Sequence, residues 1–173
     1  MTNTSARFIG LSSFREEDSP AYFGREDEIE RGIERLIANG FLAIVGPSGI
    51  GKSSLIRAGI IPKVRQNYGT VIQPIVFCRF GSDPIANLAE AAYEMSRCTN
   101  SRSSRPLLVI DQFEELYTIT DELDRKNAIL ELAKIVGNVT IAVIIAIRAE
   151  FFGRLFETPI LAADIADAEL RLG

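Results

Sequence analysis

Histidine is absent from this 173-residue sequence, and cysteine is scarce, with two residues, Cys78 and Cys98. Without an imidazole, any general base in the chain has to be a carboxylate. The two cysteines lack the spacing of a metal site, and we interpret them as free, mostly buried thiols, although the sequence alone leaves a disulfide open. Long apolar runs are also missing, since the longest, VTIAVIIAI at 139–147, is about half of a membrane span.

An excess of basic residues is lacking as well. The formal net charge is −4, and Lys and Arg are scattered along the chain rather than clustered. Domains that bind nucleic acid are usually basic, so we expect no nucleic-acid partner, and without a polybasic patch we expect no membrane association. The opening MTNTSARFIGLSSFREE has neither the basic nor the apolar part of a signal peptide, which favours a cytoplasmic location.

The sequence contains instead an alternation of buried-strand and helix patterns. Such an alternation predicts an α/β fold, in which a parallel sheet is covered by helices on both faces. Residues 1–24 read as an irregular lead-in, and we expect one domain over 25–173, excised from a longer protein. The strand patterns lie at 41–46, 70–80, 106–111, 138–147 and 169–173, and the helix patterns at 26–40, 51–64, 84–98, 124–137 and 150–168.

Local signals refine these predictions. The first helix places one apolar stripe toward the core and ends at Asn39-Gly40, a typical left-handed stop. Proline predicts three irregularities: an end or kink near Pro62, an edge position for the strand that contains Pro74, and a break of the last helix at Pro159. The predicted stripe consists of Ile29, Ile33, Leu36 and Ile37.

One motif carries clear chemistry, GPSGIGKSS, between the first strand and the second helix. It matches G-x-x-x-x-G-K-[ST], in which glycines let backbone N–H groups converge on phosphate oxygens at the positive end of a helix. The lysine reaches the β- and γ-phosphates, and the serine hydroxyl ligates Mg²⁺. We therefore predict a phosphate site at Gly46, Pro47, Ser48, Gly49, Ile50, Gly51, Lys52, Ser53 and Ser54, with Lys52 also catalytic and Ser53 a metal ligand.

A second motif, LLVIDQFEELY at 107–117, ends a buried strand with acids. Asp111 lies where parallel strands present ligands, so we predict that it anchors Mg²⁺, although an Asp there can also cap the next helix. Gln112 cannot act as a base. Glu114 or Glu115 is therefore expected to polarise water, with Glu114 preferred and Glu115 as support; either could simply stabilise a helix N-terminus.

The most hydrophobic strand pattern runs into IRAEFF, which places Arg148 at the same edge of the predicted sheet. A cation at that position can sense a γ-phosphate or pair with the acidic cluster, and the alternative is an ordinary surface arginine. We predict Arg148 as a catalytic residue together with the two glutamates.

Four motifs in this order, YFGREDE at 22–28, GPSGIGKSSLIRAG at 46–59, LLVIDQFEELY at 107–117 and IRAEFFGRL at 147–155, resemble the STAND class of signal-transducing P-loop NTPases, specifically the bacterial novel-STAND group. The resemblance runs from about Gly10 to the C-terminus. It implies a three-layer αβα sandwich with a five-stranded, mainly parallel sheet in the order 5-1-4-3-2. It also implies that Phe23, Gly24 and Arg25 lie beside adenine and ribose, and that Arg148 is the sensor arginine.

The resemblance further implies ATP or ADP and Mg²⁺ as cofactors, and a switch role in signalling, in some relatives in bacterial defence. The partners would be helical, winged-helix, repeat or effector domains of a longer chain, and other copies once ATP is bound. We expect a slow ATPase switch. A non-hydrolysing scaffold with structural ADP is an alternative, and so, with less support, is a small-molecule kinase, for which no lid or substrate segment stands out.

Overall fold

The computed structural model describes residues 15–98, 104–156 and 168–173, without the side chains of Pro20, Ala21 and Cys98. Its strands are β1 (Phe41–Gly46), β2 (Ile72–Cys78), β3 (Arg105–Ile110), β4 (Ala142–Arg148) and β5 (Glu169–Arg171). All pairings are parallel, and the order across the sheet is β2-β3-β4-β1-β5. The predicted α/β class and the order 5-1-4-3-2 are therefore confirmed.

The strands are joined by helices on both faces of the sheet. A 3-10 helix (Glu16–Ala21) lies within the predicted irregular lead-in, and the domain boundary at residue 24 stays a prediction. A π-helical segment (Leu55–Ile60) separates two of the α-helices. The α-helices are α1 (Glu26–Asn39), α2 (Lys52–Ser54), α3 (Ile61–Tyr68), α4 (Pro84–Cys98), α5 (Glu115–Thr118), α6 (Glu122–Val136) and α7 (Ala149–Leu155).

Successive strand residues point to opposite faces, so the central strands supply two cores. On one face Ile44 and Val109 pack with apolar residues of α1, the π-helical segment and α3. On the other face Val45 and Leu108 pack with residues of α4, α6 and α7. Strands β1 and β4 are buried along almost their whole length, as continuous apolar runs in a parallel sheet require.

The local predictions hold in part. Gly40 has the predicted left-handed backbone, with φ of 71°, and ends α1. In the predicted stripe, Ile29, Ile33 and Leu36 are buried but Ile37 is 40% exposed. That part of the prediction is wrong because Ile37 follows Leu36 directly and so points about 100° away around the helix.

Proline has different effects at its three positions. β2, which contains Pro74, is an edge strand as predicted. The helix does not end at Pro62, because the π-helical segment precedes it and Ile61 N–H bonds to the carbonyl of Ile56, five residues back. Pro62 is the second residue of α3, where its missing N–H is tolerated. The predicted break at Pro159 lies outside the described residues.

Candidate functional site

Three neighbouring strands end at the same edge of the sheet and bring together segments far apart in sequence. β1 ends at Gly46, β3 at Ile110 and β4 at Arg148, and the sheet order places these strands side by side. Gly46 and Arg148 are register partners. Ligands of parallel α/β sheets bind at such carboxyl ends, so the predicted site residues share one region of the molecule.

The loop after β1 needs glycine at particular positions. Gly49 and Gly51 have φ of 77° and 97°, a region that L side chains rarely adopt. At Gly46 an added Cβ would lie 3.0 Å from Ile50 Cγ2 and 3.1 Å from the carbonyl of Leu172, so a side chain there would require these neighbours to shift. Pro47, Ser48 and Gly49 are exposed, and Ser54 is buried beneath the loop.

The Lys52 ammonium is held against this loop. It donates to the carbonyls of Gly46 and Pro47, both at 2.8 Å. Burial lowers the pKa of Lys52, and the nearby Glu114 carboxylate opposes that shift. Lys52 therefore lies between the phosphate loop and the acidic segment, with donors directed at loop atoms, and its predicted contact with phosphates stays a prediction.

Ser53 and Asp111 are in direct contact, although 58 positions separate them in sequence. The Ser53 hydroxyl donates to Asp111 Oδ1 at 2.8 Å, and Asp111 is only 3% exposed. Hydroxyl and carboxylate oxygens are hard ligands that suit Mg²⁺, which also keeps waters and binds substrate phosphates. Among the described residues no group of three or more Asp, Glu or Cys side chains could hold a metal ion, so a bound Mg²⁺ would depend on phosphate and water oxygens as well.

Gln112 turns the chain between Asp111 and the two glutamates. Gln112 has a φ of 59° and is the one non-glycine residue with positive φ among those described. Its side chain is exposed. The turn lets Phe113 N–H bond to the carbonyl of Ala146 at 2.8 Å and buries the Phe113 ring edge-on against Phe80. The segment after Asp111 is thereby fixed against β4.

Glu114 faces the site, and Arg148 binds both of its carboxylate oxygens. Arg148 Nε lies 3.0 Å from Glu114 Oε1, and the Arg148 backbone N–H donates to Oε2 at 3.3 Å. Glu114 is 7% exposed. Of the three possibilities that the sequence left for Arg148, the structure shows pairing with the acidic cluster, and sensing of a γ-phosphate stays a prediction.

Glu115 has a different environment. Its carboxylate accepts a hydrogen bond from Gly81 N–H at 3.1 Å and so ties α5 to the loop after β2. Glu115 is the first residue of α5 and Glu114 its N-cap, but the Glu114 side chain makes no capping hydrogen bond. The two glutamates thus have different contacts, and the choice between them as the water-polarising group stays a prediction.

Of the predicted adenine-side residues, which precede α1, Arg25 contacts the phosphate loop. Arg25, the residue before that helix, donates from Nη2 to the Ile50 carbonyl at 3.0 Å, and its Nη1 lies 3.7 Å from Glu28. Gly24 has φ of 85° and its N–H donates to Glu26, while Phe23 is 76% exposed. The role of these residues beside adenine and ribose stays a prediction. The hydrogen bond from Arg25 to the phosphate loop was not predicted from the sequence.

A parallel sheet in this order, with a glycine-rich GKS loop after β1 and an acidic residue after β3, defines a P-loop NTPase module that binds nucleotide. A family model described as "Novel STAND NTPase 1" (nSTAND1) matches residues 8–173. The chain therefore belongs to the novel STAND NTPase 1 family, in agreement with the resemblance in its motifs. No curated protein sequence matches the chain significantly.

Solved structures of P-loop ATPases share the fold. The Aeropyrum pernix ORC1 protein in complex with DNA has a TM-score of 0.64 at 13% identity over 97% of this chain, and the A. pernix ORC2 protein (ADPNP-ADP complexes) has 0.56 at 14% over 93%. The Saccharomyces cerevisiae Hsp104-ADP complex has 0.61 at 16% over 91%. This chain spans 48%, 52% and 23% of those chains, respectively. At these identities the similarity concerns the fold.

In the part of the chain that the structure describes, no helix is long and apolar enough to cross a bilayer.

Proposed function

We propose that this chain is the ATP/ADP-binding switch module of a STAND signalling ATPase, with slow, Mg²⁺-dependent ATP hydrolysis. The contact between Ser53 and Asp111 carries the proposal, because it joins the loop hydroxyl and the strand-end carboxylate on which a magnesium nucleotide depends. Bound Mg²⁺ would be held by Ser53, with Asp111 acting directly or through water, and would neutralise charge on the phosphates. Lys52 and the loop N–H groups would bind those phosphates.

Two further roles, polarising the attacking water and sensing the γ-phosphate, are assigned to residues of this chain. Glu114 is proposed to polarise the attacking water, and Arg148 to sense the γ-phosphate. Because Arg148 Nε holds Glu114 Oε1 at 3.0 Å, a shift of that guanidinium toward phosphate would free this carboxylate oxygen to accept a proton. The ATP and ADP forms would then differ at α5 and α7, the helices that directly follow these two residues.

A second function is favoured by the same ion pair. Arg148 contacts both carboxylate oxygens of Glu114, and a chain that keeps this arrangement would hold Glu114 away from an attacking water and bind nucleotide without hydrolysing it. Phosphate release from ATP by the purified protein separates the two functions. Release above the background of the Lys52→Ala variant supports the ATPase, and release equal to that background supports a nucleotide-binding scaffold.

Nucleotide binding itself is tested by denaturing the purified protein and identifying released nucleotide, and by thermal unfolding with MgADP. We expect the wild type to release ADP and to melt at higher temperature with MgADP. Lys52→Ala should abolish the shift, because it removes the ammonium from the loop. A shift of the same size in Lys52→Ala would refute the proposed site.

Family membership supports a proposal for the wider role. We propose that the module acts in signalling, with defence or stress responses in bacteria as the setting, and that its partners are other domains of a longer chain and, in the ATP form, further copies. Gel filtration with coupled light scattering in ADP and in a non-hydrolysable ATP analogue tests the last point. A larger particle with the ATP analogue is expected, and the same mass in both would argue against self-association.

A further inference from the structure

Asp111 meets two arginines on the side that faces away from Ser53. Its Oδ1 accepts the Ser53 hydroxyl, while its Oδ2 lies 3.7 Å from Arg57 Nη2 and 3.9 Å from Arg79 Nη2. Both separations exceed hydrogen-bond length, so the arginines act on this carboxylate through their charge. Neither arginine belongs to the phosphate loop or to the acidic segment.

Arg57 is the better placed of the two. It lies in the π-helical segment, and its guanidinium stacks over the Phe77 ring with 4.3 Å to the ring centre. Its side chain is 31% exposed against 56% for Arg79, which follows the end of β2. Water screens a charge less as burial increases, so Arg57 has the stronger effect on the buried Asp111.

We propose that Arg57, assisted by Arg79, acts through Asp111 to set the Mg²⁺ requirement of nucleotide binding, an inference that rests on the proposed nucleotide site. A divalent cation is drawn to Asp111 by its negative charge, and two guanidinium groups within 4 Å offset that charge. Mg²⁺ is therefore held weakly by the protein alone and strongly only together with phosphate. Metal binding becomes dependent on nucleotide binding.

The experiment is a titration of Mg²⁺ against the intact protein, with a fluorescent ADP analogue (mant-ADP) at fixed concentration. Arg57→Ala should lower the Mg²⁺ concentration that gives half-maximal mant-ADP binding about three- to tenfold, because Asp111 then attracts the cation more strongly. Arg79→Ala should lower it less, since Arg79 is more exposed. Arg57→Lys keeps the charge and should stay close to the wild type.

A matched control distinguishes the effect of a lost arginine–aromatic contact from the effect of a lost charge near Asp111. Arg154 in α7 stacks over Tyr117 at 5.4 Å, so Arg154→Ala removes another arginine–aromatic contact and should leave the Mg²⁺ midpoint unchanged. Circular dichroism and melting temperature establish that each variant is folded, and Arg79→Ala provides the test if Arg57→Ala does not fold.

The outcomes are distinct. An unchanged or higher Mg²⁺ midpoint in a folded Arg57→Ala variant overturns the inference, and so does an Arg57→Lys variant that shifts as far as Arg57→Ala. If Arg57→Ala binds mant-ADP more weakly than the wild type in EDTA, where no Mg²⁺ is available, Arg57 contacts the phosphates directly. That result also overturns the inference. Failure of the wild type to bind mant-ADP at any Mg²⁺ concentration refutes the nucleotide site itself.

Discussion

Replacing Glu114 by glutamine preserves the shape of the side chain and removes its negative charge. An amide cannot accept a proton from water, so if Glu114 polarises the attacking water, the hydrolytic step loses its general base. Such groups contribute about 10²- to 10⁴-fold to rate, and we expect ATP turnover by Glu114→Gln to fall at least about 100-fold. Binding of MgATP should persist, because Lys52, Ser53 and Asp111 are untouched.

The structure also limits the effect of this substitution on stability. The partner of Glu114 is Arg148, whose side chain is 43% exposed and can return to water when the pair is lost. Pairs with such an exposed member contribute up to about 1 kcal/mol to the free energy of unfolding. The amide oxygen can still accept the hydrogen bond from Arg148 N–H. A catalytic loss without a comparable stability loss is therefore expected.

Single-turnover hydrolysis of radiolabelled ATP, with urea unfolding measured in parallel, tests this expectation. The matched control is Glu115→Gln, because the Glu115 carboxylate accepts from Gly81 N–H and a glutamine oxygen can do the same. Its hydrolysis rate should remain within a few-fold of the wild type. Equal losses in the two variants, or a Glu114→Gln rate above half of the wild-type rate, would show that Glu114 is not the water-polarising group.

Two further predictions concern residues away from the chemistry. Burial raises the pKa of the Cys78 thiol to about 11, so at pH 8 its thiolate population is about 100-fold below that of an ordinary thiol. Labelling of Cys78 by iodoacetamide, followed by peptide mass spectrometry, should therefore be far slower in the native protein than in urea. Equal labelling rates would contradict the burial of Cys78. Gly40→Ala should lower the free energy of unfolding by about 1–3 kcal/mol, since φ is positive there and the new Cβ would meet the Arg105 guanidinium. Gly153→Ala, in open space within α7, is the control and should be neutral or slightly stabilising in urea unfolding.

Features encoded by short patterns could be predicted from the sequence. The continuous apolar runs indicated buried parallel strands, and Asn39-Gly40 indicated the end of α1, because both signals depend on neighbours in the chain. The position of Asp111 beside the phosphate loop followed once those strands were taken as parallel. The order of the strands came from the family resemblance, since periodicity alone does not say which strands are neighbours.

The contacts that depend on tertiary placement could not be predicted. Arg57 reaches Asp111 from a π-helical segment, whose wider turn changes the direction of side chains relative to a regular α-helix. Arg25 reaches the Ile50 carbonyl across a gap of 25 positions. The left-handed backbone at Gln112 is also unexpected, because glutamine has no particular preference for that region.

The sheet order has a consequence for synthesis of the chain. β1, which leads into the phosphate loop, pairs with β4 and β5 rather than with β2, so its partners begin only at Ala142 and Glu169. On the ribosome, the loop that holds Lys52 is made early, but the strand before it stays unpaired until β4 (Ala142–Arg148) has been made. Long-range parallel pairing of this kind is slow and leaves apolar strands unprotected meanwhile. A nascent chain thus exposes the apolar strand β1 before the phosphate loop that follows it has its supporting sheet.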